Sequence, residues 1–441
     1  LHWRTLSASN ALLAMRYARP PLWLALCFVG LVLRGVLAFT APDEAFYAID
    51  GHEYREIAEH LARGQGFSIT SPRWFEPEPR WGAMTRAELF RPPLLPLYAA
   101  GLFALPGSFD LWARGFAALL GALGIPLVHA LARRLFDARI AALAAVAWSF
   151  YPPACLYAAR FSTEGLATLL LGVAALLALP REAPRARHYL VLGAYAGLAI
   201  LARANLAAPL GVLLLWCAWR DGRRAAVPLL IALVAVLAPW SVRNARHTGV
   251  ATPLPAFAGY NAWLGMNEPM RAMYAAPFGA EFRSAMQQLY AVEAPARVRE
   301  LRRRRIFEAR EAEGYWWNAA MRYASESPGA ALSILGARAL HFVSPVPIPA
   351  TASVAELALA LATTGCAMLL ALVALLRDPR AREPVLAALF LGGLLGALPF
   401  VFHLRLRFPI VEPLLVVLAA RGLVAVLPLS RKRCQAPLSA Q

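Results

Sequence analysis

"DGHEYREIAEHLARGQGFS", residues 50–68, is a polar, acidic stretch in a chain dominated by Leu and Ala. It follows an apolar run near residues 21–40, long enough to cross a bilayer as a helix of roughly 17–25 residues. From Tyr54 the apolar side chains recur as Tyr54, Ile57, Ala58 and Leu61, the i, i+3, i+4, i+7 stripe of one helix face. Arg55, Glu56, Glu59 and Arg63 take the opposite face, and Gly64 and Gly66 end the helix. A helix divided in this way lies in the membrane surface, stripe down. Asp50 stands at its start with Glu53 three residues on, the spacing of a capping box. Asp50 is therefore either a helix cap or the base of an enzyme, and the local pattern leaves both open.

The rest of the chain puts this island in a membrane. Of its 441 residues, 59% are hydrophobic and 16% charged, against about 25% charged in ordinary soluble domains. Candidate spans lie at roughly 21–40, 112–132, 138–155, 162–179, 188–202, 205–219, 225–241, 353–376, 384–402 and 408–428. The expected fold class is an all-α polytopic membrane protein with about ten transmembrane helices and amphipathic interfacial helices in the first external loop. Ten-residue alternating strands, the mark of an outer-membrane barrel, are absent from the sequence. The first apolar run has no small-residue cleavage site after it and reads as a retained anchor.

The formal charge of +18 comes almost wholly from Arg. The basic stretches lack the interleaved aromatics that stack on bases, so no nucleic-acid partner is expected. They sort instead by the positive-inside rule. Arg4, Arg16 and Arg19, Arg133, Arg134 and Arg139, Arg181, Arg185 and Arg187, and Arg220, Arg223 and Arg224 all fall on one side of a ten-span chain. So do Arg377, Arg380 and Arg382, and Arg431, Lys432 and Arg433. This count places two apolar stretches in the interface, "RPPLLPLYAAGLFALPG" (91–107) and "GAALSILGARALHFVSP" (329–345). Residues 1–241 then form an N-terminal transmembrane module with an external loop at 41–111. An external region with interfacial helices follows at 242–352, and a C-terminal transmembrane module at 353–441. Cys27, Cys155, Cys217, Cys366 and Cys434 are far apart, with neither metal-ligand nor disulfide spacing.

Beyond the island comes "ELFRPPLLPLY" (88–98). Asp50, Tyr54, Ile57-Ala58, Leu61, Gly64 and Gly66, followed by Arg91-Pro92-Pro93, resemble the first external loop of the GT-C superfamily. These are multipass glycosyltransferases using polyprenyl-phosphate sugars, among them the protein O-mannosyltransferase-like and aminoarabinose transferase-like families. "RFSTEGLATLLL" (160–171), "LAILARANLAAPL" (198–210), "APWSVRNARHTGVATPLPAFAGYNAWLGMNEP" (238–269) and "HLRLRFPIVEPLLVVLAARGL" (403–423) resemble further motifs of that superfamily, in its order. The chain departs from the pattern at Gly51, where several members carry a Glu after the loop Asp.

The resemblance implies an inverting hexosyl- or pentosyltransferase, moving a sugar from a polyprenyl phosphate to an acceptor hydroxyl. Asp50 takes the acceptor proton. Arg91, Arg160, Arg203, Arg243, Arg405 and Arg407, all at the outer boundary of the expected topology, are the candidates for the lipid phosphate, which a guanidinium grips through two donors. Glu53, Glu164, Asn244, Tyr260, Asn261 and Asn267 are candidates for binding sugar or acceptor. His403 reads as an interface histidine. No metal set is evident and no obligatory cofactor is expected, with a divalent metal left open. The expected partners are the membrane, the lipid-linked sugar donor, and a lipid, glycan or protein acceptor. The expected setting is a bacterial inner membrane with the site facing the periplasm or exterior. A polysaccharide polymerase or ligase, or a lipid-linked-glycan flippase, is the alternative.

Overall fold

Apolar Leu, Val and Ala runs leave no partner for backbone N–H and C=O except the helix itself, and helices dominate the computed structural model of the chain. It describes residues 22–48, 50–71, 85–182, 184–255, 258–276, 279–346, 353–400 and 404–427. The Arg and Lys residues expected inside at 4–19 and 431–433, and His403, lie outside the described residues.

Helix α1 spans Leu22–Thr40, α2 Gly51–Ala62, α3 Leu94–Leu102 and α4 Phe109–Leu135. Then come α5 Ala138–Phe150, α6 Pro152–Ala158, α7 Glu164–Ala178, α8 Ala186–Ala202, α9 Ala207–Asp221 and α10 Arg223–Thr248. Between α10 and the last three helices come α11 Ala258–Gly265, α12 Glu268–Ala275, α13 Gly279–Gln287, α14 Ala294–Arg303, α15 Ala309–Glu326 and α16 Pro328–Phe342. The last three are α17 Val354–Arg377, α18 Pro384–Ala397 and α19 Leu404–Val426. Two short strands, β1 Ser68–Ile69 and β2 Arg86–Ala87, pair antiparallel with Ser68 opposite Ala87.

The chain is an all-α polytopic membrane protein. Helices α4, α10, α17 and the α19 segment from Arg405 are each long and apolar enough to cross a bilayer, and the α5–α6 pair makes a fifth candidate bent by 55°. Leu24–Thr40 of α1, and α7, α8 and α18, are shorter apolar helices. Each of the ten expected spans coincides with a helix or with this bent pair. Residues 91–107 form only the nine-residue α3, too short to cross.

Local chemistry explains the ends. Ser108 caps α4 by accepting from Leu111 N, and Asp137 caps α5 by accepting from Arg139 N and Ile140 N. Gly64 and Gly66, both at φ +74°, close α2 and turn the chain toward β1. The bend at Tyr151 precedes Pro152-Pro153, which cannot supply N–H groups to the last turn of α5. Arg34, fully buried in α1, donates to the freed carbonyls of Trp148 (3.0 Å) and Ser149 (3.1 Å). The break thereby supplies acceptors for both terminal nitrogens of a guanidinium inside the apolar helices.

One core joins helices from both ends of the chain, α4–α10 with α17–α19. A second, aromatic core joins α11–α16 around Trp263 and Trp316. The third joins α2, α3 and the start of α4 around Tyr54, Leu95 and Phe109. The first and third cores place α2, α6, α7 and the start of α19 around one opening.

Candidate active site

Asp50 occupies the cap position of α2, yet its side chain makes no cap hydrogen bond. One of its oxygens meets Arg91 Nη2 at 2.8 Å, and the other accepts a close hydrogen bond from Arg405. The capping-box reading is thereby corrected. Two charge-assisted bonds outweigh a single neutral N–H, each being roughly twice as strong. Glu53 also turns away from its own helix and accepts from Arg91 Nε at 2.8 Å.

The chain of charges continues into the membrane helices. Arg405 Nε lies 3.1 Å from Glu164 Oε1, and Arg203 Nη1 approaches the same oxygen at 2.8 Å. Arg203 also donates to Thr163 Oγ1 (2.8 Å) and Asn205 Oδ1 (3.0 Å). Glu53, Arg91, Asp50, Arg405, Glu164 and Arg203 therefore form one alternating array. It joins five places that lie far apart in sequence: the start of α2, the loop before α3, the start of α7, the turn after α8 and the start of α19. Glu164 does not pair with Arg160 at i−4, because Arg203 and Arg405 reach it first.

The loop carrying Arg91 is itself fixed. Glu88, fully buried, accepts from the backbone N–H of Phe90 and Arg91. The Arg91 guanidinium then packs over the rings of Phe90 and Tyr54. Pro92 and Pro93 follow and open α3.

At the end of this array is a small opening lined by Ala48, Asp50, Gly51, Tyr157, Arg160, Ser162, Glu164 and Arg405. Arg160 faces it and makes no ion pair with another described residue. One oxygen of Glu164, Oε2, is buried there without a hydrogen-bond partner among the described residues. Four guanidinium groups (Arg91, Arg160, Arg203, Arg405) against three carboxylates (Asp50, Glu53, Glu164) leave one positive charge, which suits a monoanion.

Burial by itself would raise the Asp50 carboxyl. The guanidinium groups of Arg91 and Arg405 outweigh it and hold Asp50 below the usual carboxylate range. Arg91, buried against Asp50 and Glu53, is held above its ordinary value despite its desolvation. Gly51 has a steric cause: a Cβ there would come 3.0 Å from the carbonyl oxygen of Phe161 and 3.3 Å from Tyr47 Cβ. A side chain at this position is accommodated only if these neighbours give by a few tenths of an ångström.

Other expected site residues lie elsewhere. Arg407 is 2% exposed and bound to Glu412 and to the carbonyls of Phe342 and Ser344, so it presents no donor to the cavity. Arg243 donates to Phe67 O at 2.9 Å and packs on Phe67 and Trp240. Asn244 donates to Thr252 O, and Asn267 caps α12 while donating to Trp263 O. Tyr260 is buried against Trp263 and Trp316, with Asn261 beside it on α11. None of these lines the cavity. Ala48, Tyr157 and Ser162 do line it and were not singled out by sequence. The only signal was the i, i+3 spacing of Tyr157 and Arg160. Among the described residues no group of three or more His, Cys, Asp or Glu is placed to hold a metal ion.

Residues 90–242 match the family described as dolichyl-phosphate-mannose-protein mannosyltransferase. That segment holds α3 through most of α10 and supplies Arg91, Arg160, Glu164 and Arg203 to the array. An oligosaccharyltransferase from Archaeoglobus fulgidus, solved with a tethered acceptor peptide, superposes with a TM-score of 0.52 at 15% identity, over 91% of this chain. The chain shares the fold of the matched part of that protein. It spans about half of that larger protein (49%). ArnT from Cupriavidus metallidurans, solved with undecaprenyl phosphate bound, is 17% identical over 91% of this chain and 77% of its own, with a TM-score of 0.41. No curated protein matches the chain in sequence.

Proposed function

We propose that the protein is an inverting glycosyltransferase that moves a sugar from a polyprenyl phosphate to an acceptor hydroxyl at the outer side of the membrane. The observation that carries this reading is the meeting of Asp50, Arg405, Glu164 and Arg160 at one opening. The loops at 41–111 and 242–352 face the same outer compartment in this reading, and the membrane is a bacterial inner membrane.

The acceptor O–H gives its proton to an Asp50 oxygen as its oxygen bonds to the anomeric carbon. The bond from that carbon to the phosphate oxygen breaks, and its electron pair leaves with the polyprenyl phosphate. Attack from the face opposite the leaving group inverts the anomeric carbon. Arg160 and Arg405 sit where negative charge grows on the departing phosphate, and fixed charges at such a point are worth several kcal/mol of barrier. Asp50 is a base by position more than by strength, since its two cations hold it ionised. An incoming phosphate that draws Arg405 toward itself returns basicity to Asp50 at the moment the acceptor needs it. No obligatory cofactor enters this scheme.

The test is turnover of purified protein with a panel of polyprenyl-phosphate sugars in lipid nanodiscs. The reading predicts free polyprenyl phosphate and a product of opposite anomeric configuration. Retained configuration, or elongation of a lipid-linked glycan with no monosaccharide donor consumed, would instead favour a different reaction class.

A further inference from the structure

Two residues past Arg405 the chain places a second buried Arg, and its surroundings contain no cavity. Arg407 Nη2 and Nε donate to Glu412 Oε1 at 2.7 and 3.1 Å, and its Nη1 donates to Ser344 O at 2.6 Å and Phe342 O at 2.9 Å. Glu412, 3% exposed, spends its other oxygen on the hydroxyl of Tyr151. The Tyr151 oxygen is in turn 2.7 Å from Thr364 Oγ1. This fully satisfied cluster joins four places: the end of α16, the first turns of α19, the bend between α5 and α6, and the Leu361–Gly365 π-turn within α17. It touches neither Asp50 nor the cavity.

Two of those places carry the site. The first turn of α19 holds Arg405, and the short helix α6 that starts after Tyr151 brings Tyr157 and Arg160 to the opening. Phe408 packs directly between them, its ring 4.4 Å from that of Tyr157 and 5.9 Å from that of Trp148. Pro409 and Pro413 remove two N–H donors from the start of α19, so backbone bonding alone holds this turn weakly. A buried ion pair also contributes little net stability, because desolvation consumes its attraction, while its geometry is strongly directional.

We infer that Glu412, through Arg407 and Tyr151, is a positioning residue for the transfer reaction, registering Arg405 on α19 against Arg160, which lies two residues past the end of α6. The inference rests on the glycosyl-transfer reading above. Glu412 orients the cation that grips the phosphate and takes no proton itself. A shift of the order of 1 Å in a reacting geometry costs about 10²-fold in rate, which sets the expected effect.

The experiment uses the full chain in nanodiscs and reads two quantities: turnover of the polyprenyl-phosphate sugar and equilibrium binding of undecaprenyl phosphate. Glu412→Gln is expected to lower kcat by about 10²-fold with donor KM little changed. Glu412→Asp, which keeps the charge, is expected to recover much of that loss. Tyr151→Phe moves in the same direction by roughly tenfold and serves if Glu412→Gln does not fold. The deciding arm is a double-mutant cycle. In an Arg405→Ala background Glu412→Gln and Tyr151→Phe should weaken neither turnover nor undecaprenyl phosphate binding further, because the group they position is gone. Losses that multiply undiminished on top of Arg405→Ala would overturn the inference, as would folded single variants with parental kcat and binding. Asp50→Asn is run beside them. Parental turnover in Asp50→Asn would sink the glycosyl-transfer reading, and the binding cycle would still decide the role of Glu412.

Discussion

Asp50 and Glu313 are both carboxyl groups drawn out of water beyond the membrane spans, and they end in opposite states. Asp50 lies between Arg91 and Arg405 and is held below the usual carboxylate range in spite of its burial. Glu313, on α15 beside the aromatic core of α11–α16, is pushed up to about 7 by burial, offset only in part by hydrogen bonds from Gly259 and Trp317. No cation lies in its immediate circle of partners. Glu313 tethers the start of α11 to α15, whereas Asp50 leaves its own helix uncapped to hold two guanidinium groups at an opening. Burial alone marks neither as functional. What separates them is whether the protein has invested cations in keeping the carboxylate charged.

Four perturbations probe this contrast. Arg405→Ala removes a cation shared by Asp50 and Glu164. It should lower donor turnover by about 10²–10³-fold, the size of a lost transition-state donor, measured as polyprenyl phosphate released. Arg91→Lys keeps a charge but loses the fork that reaches Asp50 and Glu53 together. A loss of tens of fold is expected, since Lys is a point charge without that geometry, with parental rates showing that bidentate contact is irrelevant. Gly51→Ala forces a Cβ against the Phe161 carbonyl and should cost about 1–3 kcal/mol by overpacking, read as a lower midpoint of thermal unfolding. Glu313→Gln is the smallest. The folded pKa of Glu313 is raised to about 7, above an unfolded value near 4.3. Its protonated form therefore favours the fold at low pH, and that advantage fades as pH rises through about 7. The Gln variant should match the parent only at about pH 4 or below, and melt increasingly higher as pH rises to about 8; equal midpoints at pH 8 would mean Glu313 is not a buried carboxyl without a cation partner.

The same signs apply to Asp50 in reverse. A depressed folded pKa gives stability that is present above the unfolded value, near 3.9, and is lost only as pH falls through the lower folded one. Protonation of Asp50 should therefore set no acid limb in turnover down to about pH 5.

The helices were legible because apolar runs of that length have few other outcomes, and the bend at Tyr151 lay within one expected span. Asp50 was legible as a candidate and ambiguous in role. Its cap position is genuine, and only the arrival of Arg91 from 41 residues away and Arg405 from the far end of the chain decides where the carboxylate points. Arg405 and Arg407 show the limit most clearly. They are the same residue type two positions apart in "RLRFP", on one helix turn, and a 200° rotation sends one to the opening and the other into the core. Glu412 and Tyr151, which decide that outcome for Arg407, are invisible as a pair until the chain folds. Asn244 and Asn267 lie away from the opening, and their bonds to Thr252, Trp263 and Met270 are the local kind that short polar side chains commonly make.

The most direct test of the account is donor turnover in Asp50→Asn, measured alongside undecaprenyl phosphate binding by the same protein. The account predicts turnover about 10²–10⁴-fold below the parent, the range for a lost general base, with phosphate binding kept because Arg91, Arg160, Arg203 and Arg405 remain. Parental turnover in a folded Asp50→Asn protein would contradict it.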